Sequence, residues 1–188
     1  MKRRILPIIF AVLTFLAAVC IMLYPAVSSY VNEKYRSEIH TVYEEQLEQA
    51  DNTELLQAKE LAVAYNEAIT PGASSSDAYS QAALLAASTD YDSLLNVTGS
   101  GIMGYVDVPK INVYLPIYHN TDTETLERGV GHLLGSSLPV GGESTHTILT
   151  GHSGMATQKL FTDLSVLEIG DVFYLHILDE VLAYQVDE

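Results

Sequence analysis

The run Thr145-His146-Thr147-Ile148-Leu149-Thr150-Gly151-His152-Ser153-Gly154 sets a histidine between glycines at the end of an apolar stretch. Such a strand end is where catalytic groups gather, because the adjoining loops can close around a substrate. An imidazole titrates near ~6.5 and exchanges protons around neutrality, and glycines permit tight turns and close approach of a substrate backbone. His152 is therefore suited to general acid-base work. Taken alone the pattern is weak, since a single histidine at a strand end more often serves structure than chemistry.

A nucleophile to accompany it is missing from the neighbourhood. The only cysteine is Cys20, inside an apolar run near the N-terminus, where it reads as a small apolar side chain. One cysteine allows no disulfide within the molecule. His132, His146 and His152 follow no standard ligand spacing and have no cysteine beside them, so no metal is expected and no cofactor is implied. His119 and His176 lie in strand-like runs and read as hydrogen-bonded structural residues. Asn96-Val97-Thr98 matches a glycosylation sequon and is read as incidental.

The elements that would position His152 follow from the rest of the chain. From Ile5 to Val27, 23 residues carry no charge. A helix of that length spans about 35 Å, enough for a hydrocarbon core of ~30 Å. Lys2, Arg3 and Arg4 precede it and Glu33, Glu38, Glu44 and Glu45 follow, which places the N-terminus in the cytoplasm and the remainder outside. Two competing fates of this segment are cleavage near Ala26-Val27-Ser28 and lipidation at Cys20, the latter disfavoured by Val19 before it. Past the membrane, Tyr30 to Ala50 reads as an amphipathic helix with Tyr35, Ile39, Val42, Tyr43 and Leu47 on one stripe. Asp51-Asn52-Thr53 interrupts it and caps a second helix, Glu54 to Ala68, with Leu55, Leu61, Ala62 and Tyr65 inward. Pro71 to Ser76 is a hinge.

From Ile102 the pattern turns to strands: Tyr105 to Val108, Val113 to Tyr118, Thr145 to Leu149, and a hairpin of Val172 to Ile177 with Val181 to Val186. Thr123 to Glu127 predicts a helical turn, and Gln158 to Leu167 predicts a helix. The fold class is mainly β, a barrel or sandwich core preceded by a transmembrane helix and two amphipathic helices. A barrel ending at Glu188 is expected to be unclosed. Charge excludes one class of partner. The 24 acidic and 9 basic residues give −15, and such a surface repels phosphate backbones, so nucleic acid is not expected.

Several segments together resemble class C, pilus-assembling sortases. They are Gly104 to His119 (GYVDVPKINVYLPIYH), Gly129-Val130-Gly131-His132, Ser136 to Gly142 (SSLPVGG), the THTILTGHSG run from Thr145, Lys159 to Leu164 (KLFTDL), Gly170-Asp171-Val172-Phe173, and Ala183 to Asp187 (AYQVD), in family order across Gly101 to Glu188. The resemblance implies a sortase-type β-barrel, incomplete here, and a cysteine transpeptidase. His152 corresponds to the family's catalytic histidine. A cysteine thiolate attacks the Thr-Gly carbonyl of an LPXTG-like sorting signal, and the histidine protonates the leaving amine. It later helps deprotonate a lysine of the next pilin, while an arginine steadies the oxyanion. Both the cysteine, in a TLXTC-like strand, and the arginine lie further downstream in the family. No cysteine follows Cys20 and no arginine follows Arg128, so the chain as it stands is expected to be inactive. The alternative is a membrane-held, non-catalytic binding or scaffold module. Ser153 replaces an arginine common in the class, and Met155 a leucine. Asp77-Ala78-Tyr79 resembles a degenerate form of the class's lid motif, Asp77 facing the arginine and Tyr79 covering the cysteine.

The expected organisation is residues 1-28 as cytoplasmic tip and membrane helix, 29-69 as paired helices, 70-100 as linker and lid, and 101-188 as the N-terminal part of the sortase domain. The implied partners are pilins or surface proteins with LPXTG-like signals, and the implied location is a Gram-positive cell surface, anchored in the membrane.

Overall fold

The computed structural model describes residues 2–69, 90–154 and 160–188. Asp77 and Tyr79 lie outside the described residues, as does most of the expected linker.

The N-terminal half is helical. α1 runs Lys2–Gln49, 48 residues through Pro7 and Pro25. The membrane-crossing run and the first amphipathic helix, expected as two elements, are thus one. α2 (Asn52–Ala68) begins where Asp51 takes an extended conformation and its carboxylate accepts the Thr53 N–H, and it buries Leu55, Ala62 and Tyr65. The stripes are narrower than periodicity alone indicated. On α1, Tyr43 and Leu47 are buried, but Tyr35 and Val42 stay exposed, as does Leu61 on α2. Each helix touches the sheet along one tangent line, so residues a quarter-turn away remain in solvent.

The C-terminal half is a curled, open six-stranded sheet in the order β4-β3-β2-β1-β5-β6. β1 (Ile102–Val108) is buried along nearly its whole length, because helices cover one face and the hollow of the curl the other. It pairs antiparallel with β2 (Val113–His119), across a Pro109–Ile111 3-10 turn closed by Asn112 in the left-handed region at φ 49°. From β2 the chain crosses over through α3 (Thr123–Arg128), whose N-cap carboxylate, Asp122, accepts the Thr125 N–H at 2.8 Å. It enters β3 (Val130–His132) parallel to β2. β4 (Leu149–Thr150) pairs antiparallel with β3 at one edge, and β5 (Val172–Ile177) with β6 (Glu180–Gln185) forms the hairpin at the other.

Two expectations need correction. The strand foreseen over Thr145 to Leu149 is reduced to Leu149–Thr150. Upstream the bonds are mixed: Ser136 Oγ accepts the Ile148 N–H at 3.0 Å and Ser137 Oγ the His146 N–H at 3.1 Å, while the Leu133 and Ser137 N–H groups donate to the Ile148 and His146 carbonyls at 3.0 and 2.9 Å. The helix foreseen over Gln158 to Leu167 is, among the described residues, only a 3-10 turn at Leu164–Val166. A mainly β class fits the C-terminal half, whereas α1 alone, at 48 residues, outweighs any strand of at most seven.

α2 is fastened to this sheet by polar contacts as well as by packing. The Asn66 amide pairs with the backbone of Leu138 in both directions, donating to its carbonyl at 3.1 Å and accepting its N–H at 2.6 Å. Lys59 pairs with Glu180 at the start of β6. α1 is held through aromatic rings, with His40 edge-on to Tyr105 and Tyr114, and Tyr114 Oη within 2.8 Å of His40 Nε2.

Candidate active site

His152 stands two residues beyond the end of β4, half-buried, at the rim of the open sheet. Its backbone is clamped: the His152 carbonyl accepts the Phe161 N–H at 3.0 Å, and the Gly154 N–H donates to Thr162 Oγ1 at 3.0 Å. Gly151 is required beside it, because a Cβ there would fall 2.7 Å from the Phe161 ring. The imidazole makes no hydrogen bond among the described residues.

The space next to it is large. A cleft of about 680 Å³ opens between the two sheet edges, walled by Val106, Leu149, Phe161, Phe173 and Tyr184 and reached by the final residues Val186 to Glu188. Gly151, Ser153 and Phe161 line a smaller recess of about 400 Å³ that shares Leu149 with the cleft. His152 is half-buried between Gly151 and Ser153 of this recess but lines neither space itself. Phe161 entered the sequence reading only within the Lys159 to Leu164 segment, with no role at the site. Its only signal was the need for a glycine at 151, and that need exists only once the two segments are brought together.

The other histidines do different work. His132 is fully buried beneath β4, opposite Leu149 in the ladder. Tyr91 Oη lies 2.6 Å from its Nδ1, and its Nε2 lies 2.9 Å from the Ser137 carbonyl. The carbonyl can only accept, so Nε2 carries the proton and Nδ1 accepts from the tyrosine. Burial pushes this imidazole down to about 4, against the opposing pull of its bond to Ser137. It is a neutral structural group. His119 is buried between the carbonyls of Leu94 and Gly101, at 2.8 and 3.3 Å. His176 faces Asp107 at 3.8 Å on the helix-covered side of the sheet. His146 is exposed on the cleft wall. His132 and His152 stay apart in role, and no group of His, Cys, Asp and Glu able to hold a metal occurs among the described residues. Cys20 is exposed on the apolar N-terminal stretch of α1.

A support chain runs from α2 to His152. Asn66 sets Leu138, whose carbonyl also accepts the Thr147 hydroxyl at 3.3 Å. Ser136 and Ser137 then hold Ile148 and His146, and the segment proceeds through β4 to the histidine.

Comparison with known proteins agrees with this architecture. Residues 106–188 match the sortase domain family. Sortase D of Bacillus subtilis is 35% identical over 83 residues, 44% of this chain and 39% of that protein, so the chain spans well under half the length of this curated relative. Among solved structures, sortase C of Streptococcus pneumoniae is 40% identical with a TM-score of 0.68, over 80% of this chain and 74% of the other. Sortase C1 of Streptococcus agalactiae is 37% identical with a TM-score of 0.66, over 79% and 74%. A curled sheet that carries a histidine at its open rim beneath two packed helices, together with identities of this size over most of a solved sortase, means that the chain belongs to the sortase family.

Proposed function

We propose that this chain supplies the histidine half of a class C sortase, a cysteine transpeptidase that joins pilin subunits. In this reading a thiolate attacks the Thr-Gly carbonyl of an LPXTG-like signal, forming the carbon-sulfur bond of a thioester. The imidazolium of His152 gives its proton to the departing glycine amine. The neutral imidazole then takes a proton from a pilin lysine as that amine attacks the thioester, and the thiolate leaves. The observation that carries the reading is the position of His152, clamped through its backbone just past β4, between Gly151 and Ser153 of the recess that Phe161 also lines. The Streptococcus pneumoniae relative, whose structure bears on pilin substrate specificity, supports the substrate class.

The sulfur and the arginine are not among these 188 residues, apart from Cys20 in α1 and arginines up to Arg128. Asp77 and Tyr79 are assigned to a lid over the reacting sulfur. α1 anchors the protein in the membrane with Lys2, Arg3 and Arg4 inside and the sheet outside, and its length and hydropathy of 2.4 support this placement.

Extending the chain with a segment that bears a TLXTC-like strand and an arginine, then assaying cleavage of a sorting-signal peptide, tests the proposal. His152→Ala in that extended protein is expected to lower turnover by about 10²–10⁴-fold. Undiminished turnover would remove His152 from the chemistry.

A further inference from the structure

α1 does not end where a bilayer would. It continues unbroken from Lys2 to Gln49, and its last turns are the ones seated on the sheet. Tyr43 and Leu47 are 3% and 9% exposed, Tyr114 Oη meets His40 Nε2 at 2.8 Å, and Tyr43 Oη reaches the Met103 carbonyl at 3.5 Å. No linker separates the part that crosses from the part that folds. Tyr24 and Tyr30, 63% and 69% exposed, stand on either side of Val27, where an interfacial aromatic belt belongs.

The sheet also presents a defined side to the membrane end of this helix. Glu33 and Ser37 share a cleft with Asn112 of the β1–β2 turn and with Leu160. Leu160 adjoins Phe161, whose N–H holds the His152 carbonyl. The turn and the His152 loop are therefore level with Ser37. Ten residues past Val27, Ser37 stands about 15 Å above the hydrocarbon edge, of which a headgroup layer fills ~5–8 Å.

We propose that α1 is a rigid strut that sets the height and orientation of the candidate site, holding the His152 edge roughly 15–20 Å from the hydrocarbon with the β1–β2 turn toward the lipid headgroups. The inference rests on the membrane placement proposed above. Charge explains why a strut is needed. Beyond Arg4 the chain carries six basic against 24 acidic residues, a balance of −18, which an anionic bilayer repels. The one lysine on the facing turn, Lys110, is engaged by Asp171 and Glu168 at 2.7 and 2.8 Å and adds little attraction. On a flexible tether such a domain would move outward as the Debye length grows from ~10 Å at 0.1 M salt to ~30 Å at 0.01 M. On a continuous helix it stays. Only a bond presented at that height can then reach His152.

The test uses the full chain carrying Cys20→Ala and Ser153→Cys, labelled at residue 153 with a fluorescent donor. It is inserted into phosphatidylcholine–phosphatidylglycerol vesicles that hold headgroup-labelled acceptor lipid. Energy transfer is expected to be the same at about 0.01 M and 0.1 M salt. Seven added helix-forming residues after Ser28, two turns that keep the same face, raise the site by about 10 Å and should lower transfer at both salts. Seven Gly-Ser residues there should make transfer fall at low salt, with near-ultraviolet ellipticity confirming an intact sheet in each protein. Salt-dependent transfer in the parent, or no loss with the helical insertion, overturns the strut while leaving the anchor intact. A chain washed off the vesicles by alkaline carbonate overturns both.

Discussion

Acid should unfold this protein through one buried imidazole. His132 is 0% exposed, wedged between Tyr91 and the Ser137 carbonyl, and its pKa is lowered from 6.5 to about 4, chiefly by burial. Above about pH 6.5 the ring is neutral whether the chain is folded or not, and the stability it contributes is fully present. As pH falls, the unfolded chain takes up a proton that the folded chain refuses, so stability declines. The decline ends below about pH 4, where both states are protonated. With ~1.4 kcal/mol for each pH unit between the two values, the loss comes to about 3 kcal/mol. At a urea slope of about 2 kcal/mol/M this moves the midpoint by about 1.5 M.

The measurement is urea unfolding of residues 28–188 at several pH values from 7.5 to 4. It is followed by near-ultraviolet ellipticity, since the chain has 12 tyrosines and no tryptophan. His132→Gln keeps a donor for the Ser137 carbonyl but removes the acceptor for Tyr91, so a neutral-pH cost of about 1–3 kcal/mol is expected. Its stability should then fall by about 3 kcal/mol less than the parent's between pH 6.5 and 4. Every other titrating group is common to both proteins and cancels in the difference. Equal pH slopes in the two would refute the buried neutral imidazole.

Three further outcomes follow from packing. Gly104→Ala would place a Cβ 2.2 Å from the His176 carbonyl oxygen across the β1–β5 pair; this should part the strands and cost about 3 kcal/mol, read from the urea midpoint. Asn66→Ala leaves the Leu138 N–H without its partner, while the carbonyl keeps Thr147 and Val140, at a cost of about 1–3 kcal/mol; faster amide exchange should then appear at Leu138 and His146. Lys59→Ala breaks a half-exposed pair with Glu180 and should cost under about 1 kcal/mol, less in high salt; a cost that persists in molar salt would point to packing instead.

The sequence alone was enough for the features that depend on neighbours along the chain. Twenty-three uncharged residues declare a membrane-length helix, Asp51 declares a cap, and alternating runs declare β1, β2 and the β5–β6 hairpin. The ordered motifs from Gly104 to Asp187 also declared the family, now shown by structural likeness. What periodicity could not reveal depends on distant residues. That the His146 and Ile148 N–H groups are held by serine hydroxyls, or that Asn66 reaches Leu138 across 72 positions, requires the chain to have folded back. The roles of the histidines divide on the same ground. Each has the same chemistry in a sequence, and only tertiary burial makes His132 a neutral structural group in β3 while leaving His152 half-exposed at the end of β4. The continuity of α1 was likewise hidden, because the uncharged run ends at Val27 and the amphipathic stripe starts past Tyr30, whereas the structure joins the two in one helix that reaches the sheet.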